Sequence, residues 1–148
     1  MPTDSEVDTD IGQLAGALFV GLGLVRRRLR QQKVPGDLSF PETAALARLD
    51  RDGPATSAEL ARQEQISPQS MGATLSALQD RGLIERSADP ADGRRVVLTM
   101  TDGGKSALQN RRRARVDQLA RGLVGFTADE LDVLQSAAPL IERLARQL

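Results

Sequence analysis

The side chains able to do chemistry here are hydroxyls, amides, carboxylates and guanidiniums; the 148-residue chain has no histidine and no cysteine. That removes imidazole acid–base catalysis, thiol redox switching and thiolate or imidazole metal sites together. No carboxylate pair stands out by spacing, and no glycine-rich loop offers a cradle for phosphate. The polar groups gather instead at two places. Ser67-Pro68-Gln69-Ser70 places two hydroxyls and an amide side by side, and Asp89-Pro90-Ala91-Asp92-Gly93-Arg94-Arg95 places two guanidiniums beside two carboxylates. Such groups bind by hydrogen bonds and charge; no enzyme, cofactor or metal is expected of them.

The elements that must position these groups follow from periodicity and caps. Ile11, Leu14, Ala15, Leu18, Phe19, Leu22, Val25 and Leu29 keep a 3-4 rhythm, so a first helix is expected from about Thr9 to Lys33, after a frayed acidic start (Asp4, Glu6, Asp8, Asp10). Its apolar run is too short for a membrane span of ~20 residues. Its basic residues follow the apolar run, whereas those of a signal peptide precede it, so a cytoplasmic protein is expected. Capping boxes Ser39/Glu42, Thr56/Glu59 and Thr127/Glu130 open three further helices. Ser67 followed by Pro68 opens another, which should stop at Gly82. Leu83–Ser87 and Arg95–Met100 read as strands of a hairpin with a charged tip. Val96, Leu98 and Met100 should share one face of the second, with Val97 and Thr99 on the other. Two long helices follow, the first ended by Gly125 and the second carrying Pro139. With no Trp or Tyr and three Phe, the core must be aliphatic, and stacking on unpaired bases is disfavoured.

A short helix, a tight turn and a capped second helix followed by a hairpin describe a winged helix-turn-helix, whose second helix enters the major groove. In that helix Met71, Leu75 and Leu78 form a core stripe opposed by Gln69, Ala73 and Ser76. The Gln69 amide can bond adenine N6 and N7 together, and Ser67 and Ser70 are candidate phosphate or base contacts. The formal net charge is zero, but nine bases against four acids lie between Arg81 and Arg115, so charge distribution matters more than the sum.

Thr56-Ser57-Ala58-Glu59-Leu60-Ala61, Ser67-Pro68-Gln69-Ser70, Leu78 to Arg86, Asp89 to Arg94 and Met100 to Lys105, in that order, resemble the MarR family of bacterial regulators. The resemblance implies a mainly α (α+β) chain of one piece, residues 1–148. It would comprise a winged helix-turn-helix lobe with a two-stranded wing at 39–100 and a helical dimerisation body from 9–34 and 101–148. It further implies a homodimer on a palindromic double-stranded operator, a repressor released by a small effector. The DNA-contacting set would be Thr56, Ser67, Pro68, Gln69, Ser70, Ala73, Asp92, Arg94 and Arg95. In the wing, Arg94 would enter the minor groove and Asp92 orient it. An aromatic or amphipathic carboxylate effector would be lined by Phe19, Leu22, Arg26, Phe40 and Leu46, with Arg26 as its ionic partner. The chain departs from the family pattern at Gly72, Ala73 and Ala77, where many members are basic or polar, so weight is expected to fall on the wing. A winged-helix module that docks protein without DNA is the competing reading.

Overall fold

The computed structural model describes residues 4–32, 34 and 36–148. Its elements are α1 (Asp4–Gln31), α2 (Phe40–Asp52), α3 (Ser57–Gln63), α4 (Pro68–Asp80), β1 (Ile84–Ala88), β2 (Val96–Met100), α5 (Asp102–Leu123) and α6 (Ala128–Gln147). The chain is therefore mainly α, with one antiparallel two-stranded sheet. It divides into two compact units, residues 1–111 and 112–148, with the boundary inside α5.

All three capping boxes form: Ser39, Thr56 and Thr127 each accept the N–H of the glutamate three residues on, and each glutamate returns a carboxylate to the cap N–H. Ser67 caps α4 by accepting the Ser70 N–H, without a reciprocal carboxylate, and Pro68 sits in the first turn where no N–H is needed. Arg81 follows α4 and Gly82 turns the chain at φ 69°, the left-handed conformation that glycine adopts without strain. The first helix differs from expectation. It begins at Asp4, so the acidic stretch is helical, consistent with carboxylates favouring a helix N-terminus. It ends at Gln31, and Lys33 lies outside the described residues. The fifth helix stops at Leu123, two residues short of Gly125, and α6 continues through Pro139.

The first unit is built around Leu38, Ala45, Leu46 and Leu49, Leu60 and Ala61 of α3, Met71, Leu75 and Leu78 of α4, and Ile84 and Leu98 of the hairpin. Every member of this core is aliphatic or methionine. The strands pair from Ile84↔Met100 to Ala88↔Val96. The second strand departs from simple alternation: Val97 and Leu98 are both buried while Val96 is exposed. Its tip-proximal end projects beyond the lobe, and its middle is covered on both sides. A contact not read from the sequence explains part of this. Ala55, between α2 and α3, pairs with Leu98 through two backbone hydrogen bonds (2.8 and 3.2 Å), so β2 lies between β1 and the helix-turn-helix.

The base of the wing is also where α5 starts. Thr101 donates its N–H to Leu83 O (3.1 Å) and its hydroxyl to Gly82 O (2.7 Å), and accepts the Gly104 N–H (3.1 Å). Gly104 then packs against the backbone of Leu83 so closely that a Cβ there would lie 2.2 Å from the Leu83 carbonyl oxygen. Ion pairs brace the same unit: the partly exposed Arg81 with the buried Glu42, and the partly buried Arg111 with Asp37 (2.7 Å).

In the second unit, α6 buries none of its residues, and Leu131, Leu134 and Leu144 stand exposed along it. In the first unit Ile11, Leu14, Phe19 and Val20 of α1 are likewise exposed. A Cβ at Gly12, Gly16 or Gly21 would meet no atom within 4 Å.

Candidate nucleic-acid interface

The capped start of α4 presents Ser67, Pro68, Gln69 and Ser70 to solvent, with Ala73 and Ser76 exposed beyond them and Met71, Leu75 and Leu78 buried behind. The core stripe orients the helix, so the outward face is fixed by packing. The Ser67 hydroxyl accepts the Ser70 N–H (3.1 Å) and donates to the Ser70 hydroxyl (2.9 Å). Both serines are thus preoriented, with acceptor capacity left on Ser70. Thr56 is only partly exposed, and its hydroxyl oxygen already accepts the Glu59 N–H (3.2 Å). Its first role is to cap α3.

The wing tip is closed by side chain–backbone bonds. Asp89 accepts the Ala91 N–H (2.9 Å), and the Asp92 carboxylate accepts the Arg94 N–H (3.1 Å). Aspartates favour such turns because their short side chains reach the backbone two residues on. Asp92 therefore acts on Arg94 through its main chain. The Arg94 guanidinium is exposed and makes no hydrogen bond or ion pair among the described residues.

Arg95 is placed differently from its neighbour. Its guanidinium reaches Glu59 in the first turn of α3 (2.5 Å) and Asp89 (3.7 Å). Glu59 carries two duties, since its other oxygen accepts the Thr56 N–H (2.8 Å). Its carboxyl is held below the usual glutamate range, first by the Thr56 N–H, with the Thr56 hydroxyl and Arg95 adding to this and desolvation opposing it. The capping box marked Glu59 as a helix start, but nothing in the sequence linked it to a residue 36 positions on.

The five residues expected to line a ligand site do not converge on one recess. Arg26 lines an open recess of about 370 Å³ formed by Gly23, Arg26, Arg27, Arg30 and Gln31 of α1 alone. Phe40 borders a separate recess of about 160 Å³ between the start of α2 and the turn before α4. Phe19 is 82 % exposed. Leu46 is fully enclosed in the core, which leaves it no surface for a ligand.

The MarR family model matches residues 38–96, from the entry to α2 through the wing. An uncharacterised helix-turn-helix-type transcriptional regulator from Mycobacterium leprae is 32 % identical over 93 % of this chain and 96 % of its own length. The chain belongs to the MarR family. It is a winged helix-turn-helix transcriptional regulator of that family. A helix-turn-helix-type transcriptional repressor from Mycobacterium tuberculosis is 37 % identical over 78 % of this chain and 84 % of its own. A crystal structure of a transcriptional regulator protein from Pseudomonas aeruginosa, 30 % identical, covers 97 % of this MarR chain and 99 % of its own with a TM-score of 0.75. No helix among the described residues of this MarR protein is long and apolar enough to cross a membrane.

Proposed function

We propose that this MarR protein is a homodimeric repressor that grips a palindromic DNA operator, one winged helix-turn-helix per half-site, and lets go when a small molecule binds. One observation carries the DNA-binding part. Among the described residues Arg94 makes no ion pair at the tip of a wing closed by Asp89 and Asp92, whereas Arg95 beside it is held by Glu59 and Asp89. An exposed guanidinium on a rigid tip suits a narrow A·T-rich minor groove, where negative potential concentrates. The capped start of α4, with Gln69 outward, suits the adjacent major groove.

Dimerisation is supported by the uncovered apolar residues of α1 and α6, since surfaces of this kind mark sites of association. Repression is supported by the name of the 37 % identical mycobacterial relative. The effector is an aromatic or amphipathic carboxylate, for which Arg26 is the ionic anchor. Selection of bound sequences from a random duplex library tests the proposal. A palindromic consensus is the expected result. Failure to enrich any duplex with folded dimer would favour a protein-docking module instead.

A further inference from the structure

The outward face of α4 lacks the bidentate groups that single out guanine. Arginine and lysine make the bidentate contact to guanine O6 and N7, and neither occurs from Ser67 to Asp80. Arg81, just past the helix, is not available in their place. Its guanidinium is held by the Glu42 carboxylate (3.4 Å) and donates to the Gly36 carbonyl (2.7 Å). The Gln79 side-chain amide oxygen is also engaged, accepting from Arg86 Nε (2.8 Å). The acid that could accept a hydrogen bond from cytosine N4, Asp80, is the last residue of α4, about 18 Å along the axis from Pro68. What remains is Ser67, Gln69 and Ser70 at the N-terminus, the small apolar Ala73 one turn beyond Gln69, and Ser76 further on, all exposed, and the hydroxyls do not discriminate between bases. Gln69 suits adenine, and an alanine methyl suits the C5-methyl of thymine.

We infer that α4 reads an A·T half-site in the major groove, with Ala73 packed against a thymine methyl beside the base pair read by Gln69. This rests on the DNA-binding proposal above and deepens it by naming the base pairs. The absence of side chain at Gly72, where a Cβ would meet nothing within 4 Å, leaves the helix free to approach the groove floor closely enough for so short a side chain to touch a base.

The test uses the full chain and the duplex enriched from the random library. Each thymine is replaced in turn by deoxyuridine, which keeps base pairing and the minor groove and removes only the C5-methyl. Binding of wild type, Ala73→Gly and Ala73→Ser is then measured, with circular dichroism confirming each fold. Wild type should lose about fourfold at one thymine per half-site, the worth of one buried methyl-sized group. Ala73→Gly should bind the thymine duplex about fourfold more weakly and no longer distinguish uracil. If the glycine variant does not fold, Ala73→Ser should show the same blunted response. Indifference of wild type to every thymine methyl, or a full uracil penalty in both variants, overturns this inference while DNA binding stands. Enrichment of no duplex overturns the DNA-binding proposal itself, and this inference with it.

Discussion

Arg95 in the wing and Glu59 in the first turn of α3 are joined across 36 residues of sequence by a hydrogen-bonded ion pair. The same carboxylate caps α3 through the Thr56 N–H. The wing is thereby tied to the helix that supports α4, and Ala55 ties it again through Leu98. Arg94, with no ion pair among the described residues, is held out by this frame.

The tie can be cut without removing the cap. Glu59→Gln keeps an acceptor for the Thr56 N–H, as glutamine serves in capping boxes, but removes the charge facing Arg95. Operator affinity of Glu59→Gln, Arg95→Ala and the double variant should be non-additive, the second substitution costing little once the first is made. Full additivity would show that the pair does not position the wing. Acid gives an independent check. The Glu59 carboxyl is lowered in the folded state, so its contribution is complete above the ordinary glutamate range, about pH 4.3, and is lost as pH falls through the lowered value. The Tm difference between wild type and Glu59→Gln should therefore shrink on acidification through that range.

Two glycines should respond oppositely to alanine. At Gly104 the new methyl would sit 2.2 Å from Leu83 O and 2.7 Å from Met100 Cγ, so the start of α5 must move away from the wing base. Gly104→Ala should cost about 1–3 kcal/mol or more. At Gly72 the methyl meets nothing, and the helix-forming gain of about 1 kcal/mol should appear in full. Urea denaturation at one protein concentration measures both, and equal shifts would contradict the packing described.

Assembly has its own test. The apolar residues of α6 are uncovered within its own unit, so the proposed dimer should be the species seen by sedimentation at micromolar concentration. Leu134→Glu should shift it toward monomer, because a carboxylate in a dry interface is costly. A folded wild-type monomer at that concentration would refute the dimer.

The effector proposal rests on the α1 cations. An aromatic carboxylate should weaken operator binding, and Arg26→Ala should blunt that response without changing affinity in its absence. An unaltered response in Arg26→Ala would remove Arg26 as anchor.

What was legible in the sequence was mostly local. The caps at Ser39, Thr56, Ser67 and Thr127 each depend on residues within one turn, and all four form. The core stripe Met71-Leu75-Leu78 follows from helical period alone, and it orients the α4 face. The MarR membership was legible in the ordered motifs from Thr56 to Lys105. Contacts between distant segments were not. The pairing of Arg95 with Glu59 could not be read because the two are far apart in sequence, and nothing marked Ala55 as a partner of β2 because a single paired residue has no periodicity. Leu46 was assigned to a ligand wall, although it lies one turn from Leu49 on the stripe of α2 that the lobe buries. The start of α1 was set too late because its acids were read for charge alone, without their fit to a helix N-terminus.

The central claim is that Arg94 binds the minor groove by charge and shape while Gln69 reads a base edge. Fluorescence anisotropy at several salt concentrations, on matched, mismatched and unrelated A·T-rich duplexes, separates the two. Arg94→Ala should weaken binding to operator and A·T-rich duplex alike and lower the salt slope by about one counterion per subunit. Gln69→Ala should lose ~1–3 kcal/mol at the cognate site only, relax preference at one base pair and leave the slope nearly unchanged. If Arg94→Ala is folded and leaves both affinity and salt slope untouched, the wing does not bind DNA and the account fails.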